Sequence, residues 1–172
     1  WLMMLMLSAT FTGMILTHFE NSLAAVPILT SYIPMLSGTG GNSSTQASTA
    51  VIRALSLGEV RFSDLLRVVW KECRVALICG VCLAVACFAK IIVVDMLLLK
   101  SESVTYLVAF VVCATMAVTV CLAKIVGSTL PLLAKKLGFD PAVMASPIIT
   151  TIVDFLSLLV YFAFATAILG IG

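Results

Sequence analysis

Of the 172 residues, 62% are hydrophobic and 10% charged, and ten Lys and Arg against eight Asp and Glu leave a net charge of +2. The apolar share stands well above the roughly 45–50% of soluble globular domains, which excludes a disordered chain. The balanced charge excludes a polyanion-binding footprint, so no nucleic-acid partner is expected. The expected solvent is a lipid bilayer, and at about 20 apolar residues per span, with connections, one domain of this length holds roughly five helices.

Five apolar segments separated by charged residues predict an all-α membrane protein with five transmembrane helices in a single domain, 1–172. The first covers about 1–17 and ends at His18, Glu20 and Asn21. It opens on Trp1 with no basic leader and no small-residue cleavage site, so it reads as a piece of a longer chain and not as a signal peptide. The second covers about 23–55 and carries Pro27, Pro34 and a polar run from Ser37 to Thr49. Such a run cannot face lipid, because its amides and hydroxyls need partners, so it lines protein or water. Asn42, Gln46, Thr49 and Arg53 recur at i, i+4, i+7 and i+11, which places them on one stripe of a helix. The same small residues also suit close helix packing.

The charged stretch from Glu59 to Arg74 reads as a connection, and the third segment follows at about 75–99. Lys90 and Asp95 fall within it; five residues apart they do not share an α-helical face, so Lys90 is expected to snorkel or to pair across helices. The fourth segment, about 104–133, contains Lys124, read as an interface anchor. Cys79 and Cys82 have a C-x-x-C spacing without a second pair or nearby histidines, so the six cysteines read as packing residues. His18, the sole imidazole, stands beside no nucleophile motif, and an enzyme is not expected.

The fifth segment, 141–172, is preceded by Asp140, an N-cap candidate, with Pro141 at the first helical position. Ser146, Thr150 and Asp154 stand at i, i+4 and i+8, with Ser157 and Tyr161 continuing that side. A carboxylate near mid-membrane costs at least ~2.5–3.5 kcal/mol on insertion scales, so Asp154 is kept with a partner, a water cavity or an ion. Its oxygen-rich surroundings suit Mg²⁺, Ca²⁺ or Mn²⁺ rather than soft metals. One carboxylate per chain is few for a divalent ion, and a two-fold homodimer supplies two around a central pathway.

Basic residues set the orientation. Arg53, Arg61, Arg67, Lys71 and Arg74 surround the second-to-third connection, and Lys135 and Lys136 the fourth-to-fifth, whereas the opposite connections offer Lys100 alone. The N-terminus is therefore expected in the cytoplasm and the C-terminus outside, in a plasma (inner) membrane.

The run Pro34-Met35-Leu36-Ser37-Gly38-Thr39-Gly40-Gly41-Asn42, with Gln46 and Arg53, resembles the second transmembrane helix of the MgtE magnesium channel family. The stretch from Leu130 and Pro131 through Lys135, Gly138, Asp140, Pro141, Ala142 and Pro147 to Thr150, Thr151 and Asp154 resembles that family's last connection and fifth helix. The resemblance implies a dimeric five-helix pore domain, with the pore between protomers lined by the second and fifth helices, here through Gly41, Asn42 and Gln46 with Thr151 and Ser157. It implies that Asp154, assisted by Ser146 and Thr150, holds a largely hydrated Mg²⁺. Asp140 would lie at the cytosolic mouth, where regulatory Mg²⁺ favours closure, and Glu72 matches another acid on that side. An acidic helical domain and a CBS pair that sense cytosolic Mg²⁺ would precede the pore. Ser146 and Ser44 depart from the family, which often has Asn and Gly there. The expected function is passive Mg²⁺ uptake driven by membrane potential; the alternative is a secondary transporter coupling Na⁺ or H⁺ to divalent cation movement.

Overall fold

Prolines and the spacing of charges decide where the helices begin and end. A computed structural model describes residues 2–171, without the side chains of residues 2, 4, 5, 8 and 143–146. Among the described residues there are helices and no strand: α1 (Leu2–His18), α2 (Glu20–Ala25), α3 (Leu29–Ser56), α4 (Leu65–Lys90), α5 (Tyr106–Lys136) and α6 (Pro141–Leu169). A 3₁₀ turn, Phe62–Asp64, leads into α4, and a π-helical segment, Ile91–Leu98, extends it.

Three boundaries differ from the sequence reading. The expected second segment splits, because Pro27 pushes the residue before it out of the α region; Val26 sits at φ −135°, ψ 78°, and the helix resumes at Leu29. α4 starts at Leu65, ten residues before the expected 75, inside the stretch read as a connection. There Arg67, Lys71 and Arg74 fall on one exposed stripe while Val68, Val69, Cys73 and Ala76 turn inward, so the charges decorate a helix instead of ending one. α6 ends at Leu169, before Gly170 in left-handed conformation at φ +66°.

Among the described residues, three stretches are long and apolar enough to cross a membrane: Phe62–Leu98, Tyr106–Lys136 and Pro147–Leu169. α3, at 28 residues, is long enough, but its Ser, Thr, Gly, Asn and Gln lower its hydropathy. α1 is apolar but has 17 residues, short of the usual span. The apolar helices make this a membrane protein; the expected five spans are met on both criteria by three.

α5 is the central helix, buried along most of its length against α3, α4 and α6. Where lipid surrounds the bundle, helices gain nothing hydrophobic by associating, so they must approach closely. A Cβ on Gly127 of α5 would lie 2.4 Å from the Ser44 carbonyl oxygen of α3, so the two backbones meet there. Gly127→Ala is expected to lower stability by about 1–3 kcal/mol, since backbone must move to admit the methyl. Thermal melting of the purified protein in detergent measures it, and an unchanged melting temperature would remove this contact from the account.

Candidate functional site

α6 is started by its own cap. Asp140 takes an extended conformation and accepts a hydrogen bond from the Ala142 N–H at 2.9 Å, with Pro141 at the first helical position, as the sequence predicts. The helix continues through Pro147, whose carbonyl accepts from the hydroxyls of Thr150 at 3.1 Å and Thr151 at 2.7 Å. Asp154 follows one turn later, half-buried.

α3 meets α6 at this level. The Ser37 hydroxyl donates to Asp154 Oδ1 at 2.5 Å. A Cβ on Gly41 would stand 3.8 Å from the Thr150 methyl, an ordinary van der Waals distance, so α3 lies beside α6 one turn along. Asn42, Gln46, Thr49 and Arg53 are all exposed on the neighbouring face of α3, as the stripe spacing requires. The ion pairs found among the described residues join Arg67 to Asp64, Lys90 to Asp95 and Lys124 to Glu72, and none involves Asp154. Among the described residues the carboxylate thus has a hydroxyl donor and no countercharge.

The structure sets Asp154 against Ser37 and Thr150 against Gly41, with Thr151 on the same turn of α6 as Thr150, while Asn42 and Gln46 are exposed on α3. Ser146 lies outside the residues whose side chains are described. Ser157, expected among the lining residues, faces the interior instead: it is 2% exposed and donates to the Val153 carbonyl at 2.6 Å. It lies about 60° around α6 from Asp154, on the side where Gly40 of α3 comes close. Tyr161 is likewise buried, its hydroxyl donating to the Leu29 carbonyl at 2.9 Å. The oxygen-rich side of α6 therefore opens at Asp154 and turns into the core beyond it. Ser37 was missed as a partner because it sits about 140° around α3 from Asn42, off the stripe that drew attention.

Two other acids hold the lysines Lys124 and Lys90. Glu72 pairs with Lys124 at 3.6 Å, and the two side chains are 13% and 9% exposed. Lys124 is therefore a buried partner and not an interface anchor, because α4 packs against α5 and supplies its countercharge. Lys90 neither snorkels alone nor pairs across helices; its ammonium reaches both oxygens of Asp95 at 2.9 Å. The π segment explains this, since bonding between residues five apart, as where the Leu99 N–H donates to the Val94 carbonyl at 2.9 Å, brings such residues onto one face. Asp140 is exposed at the start of α6.

Among the described residues no three His, Cys, Asp or Glu side chains converge on a metal position, and the six cysteines are free. Among the described residues this part of the chain offers the Asp154 carboxylate, the Ser37 hydroxyl bonded to it, and the hydroxyls of Thr150 and Thr151 one turn away on α6. That set is all oxygen at its centre, suited to a hard cation that keeps part of its water shell.

Residues 33–164 match the MgtE family, described as a divalent cation transporter. Three proteins named magnesium transporter MgtE are similar to nearly the whole chain. That of Bacillus subtilis is 34% identical over 97% of this chain and 35% of its own length. The Thermus thermophilus protein is 36% identical over 98% of this chain and 36% of its own length. The Enterococcus faecalis protein is 31% identical over 96% of this chain and 35% of its own length. The chain thus spans about a third of the length of these curated relatives.

Proposed function

The chain belongs to the MgtE family of divalent cation transporters, and on that premise we propose that it forms the conducting part of a Mg²⁺ channel. Two copies, related by a two-fold axis, place their Asp154 carboxylates on one pathway, and hydrated Mg²⁺ is held between them. Thr150 and the Asn42–Gln46 stripe bond to its water shell, with Ser146 as a further ligand. Five spans cross the plasma membrane, with the basic connections and the N-terminus in the cytoplasm. Mn²⁺ and Ca²⁺, also hard cations, compete for the same oxygens. In the intact protein an acidic helical domain and a CBS pair gate the pathway from the cytosol, with regulatory Mg²⁺ at Asp140.

The observation that carries this reading is Asp154 itself: a half-buried carboxylate on an apolar helix that, among the described residues, accepts from the Ser37 hydroxyl and pairs with no cation. A structural acid in that setting would be neutralised by a basic partner, as Asp95 and Glu72 are. The exposed polar stripe of α3 supports the second copy, because amides and hydroxyls do not face hydrocarbon. Moving two charges down 100 mV releases about 4.6 kcal/mol, so uptake needs no coupled ion.

Proteoliposomes with an imposed K⁺ diffusion potential test it. Mg²⁺ influx should follow the potential and ignore Na⁺ and pH gradients at fixed potential. Influx that requires such a gradient assigns the chain to coupled carriers, and no influx at any potential overturns transport.

A further inference from the structure

Lys90, Asp95 and Tyr32 form a polar cluster outside the ion site. Lys90 is bound to both oxygens of Asp95, the Tyr32 hydroxyl donates to Asp95 Oδ2 at 2.8 Å, and the Lys90 ammonium lies 5.4 Å from the centre of the Tyr32 ring. Lys90 ends α4 and Asp95 belongs to the π segment, whereas Tyr32 is on α3, five residues before Ser37. A helix that does not contribute to the Asp154 contact therefore grips the one that does.

Leu29, Tyr32 and Leu36 bury this end of α3 in the main apolar core, and the polar cluster adds a directional bond to that packing. The helix begins after Pro27 with no side-chain cap at Ile28, and Pro34 within it removes a backbone hydrogen bond. On the side of the cluster, a cavity of about 150 Å³ opens among Ile28, Ser31, Leu99 and Val104, so close contact does not wedge the helix there. Tyr161 bonds to the Leu29 carbonyl, near the helix axis, and so fixes height more than rotation. Tyr32 acts from the end of a long ring and resists rotation. Turning α3 by about 25° displaces its Cα atoms by about 1 Å, given their radius of about 2.3 Å. A binding constellation tolerates about half of that.

We propose that Tyr32, Asp95 and Lys90 are positioning residues for the ion site. The π segment presents Asp95, held by Lys90, to the Tyr32 hydroxyl, and this sets the rotation of α3 that places Ser37 on Asp154. An α-helix would put positions 90 and 95 about 140° apart and leave Asp95 without its cation. The proposal rests on the reading of Asp154 as the ion site.

Two readouts separate the two claims. Gly38 is exposed and a Cβ there meets nothing within 4 Å, so Gly38→Cys sets a thiol beside Ser37 at no steric cost. Its labelling by a water-soluble maleimide, above the background of the native thiols, reports the placement of α3 whatever the protein transports. Adding Tyr32→Phe, which removes one hydroxyl, should change that rate about threefold or more. It should raise the Mg²⁺ concentration for half-maximal influx by a similar factor, with maximal influx and melting temperature retained. Lys90→Gln, at a side chain 44% exposed, should shift both readouts in the same direction, and Lys90→Arg should restore them. Tyr32→Phe combined with Lys90→Gln should be no worse than Tyr32→Phe alone, because both act through one carboxylate. Unchanged labelling in the phenylalanine and glutamine variants overturns the positioning role. Changed labelling with unchanged half-saturation overturns its link to the ion site. Changed labelling in a parent chain that passes no Mg²⁺ leaves the cluster's role standing and sinks the channel.

Discussion

Alanine at position 154 is expected to abolish measurable Mg²⁺ influx while leaving the protein at least as stable as before. Each carboxylate that bonds to an ion's water shell contributes about 2 kcal/mol, as hydrogen bonds to charged groups do. On the proposed two-fold pathway the two would contribute about 4 kcal/mol, roughly a thousandfold in affinity. The sign of the stability change separates function from architecture. A buried acid that held the fold together would destabilise it on removal, but Asp154 has no cationic partner to strand. Its removal relieves the insertion cost of an isolated carboxylate. Asp154→Asn refines the test, since the amide oxygen still accepts from Ser37 and only the charge is lost. Melting with and without Mg²⁺ checks it independently of flux: bound ion at 100 times its Kd raises stability by about 2.7 kcal/mol, and this shift should vanish in both variants. Mg²⁺ protection that survives in Asp154→Ala would place the ion elsewhere.

The sequence made the helical class and the α3–α6 site legible for different reasons. Long apolar segments are visible because a bilayer demands them, and Asp154 is visible because it violates that demand. Asp140 and Pro141 were readable because a cap is a local device, complete within three residues. What escaped was set by contacts between helices. Lys90 and Asp95 look mismatched on an α-helical wheel, and no local propensity in Ile91–Leu98 announces the π register that joins them. Ser157 and Tyr161 share the side of Asp154 on the wheel, yet the closeness of α3 at Gly40 turns that side inward beyond Asp154. The early start of α4 was hidden by reading each charge as an end, although Arg67, Lys71 and Arg74 keep helical spacing.

The pair between Glu72 and Lys124 carries the largest expected effect on stability. Lys124 stands on the central helix, 7% exposed overall, and Glu72 is the acid that reaches it, from α4. Glu72→Ala leaves an ammonium enclosed between α4 and α5 without its countercharge, which for buried pairs costs about 3–5 kcal/mol. Replacing both, as Glu72→Leu with Lys124→Met, removes the stranded charge along with the pair and should recover most of that loss, because apolar side chains of similar volume pack there without desolvating ions. Melting of the two variants in detergent reads the difference directly. The same double variant tests the role that family resemblance gives Glu72 at the cytosolic mouth. If Glu72 serves regulation by Mg²⁺, restoring stability will not restore the inhibition of influx by cytosolic-side Mg²⁺. If it serves Lys124 alone, the stable double variant will respond to Mg²⁺ as the parent does, and Asp140 becomes the acid to examine at that end of the bundle.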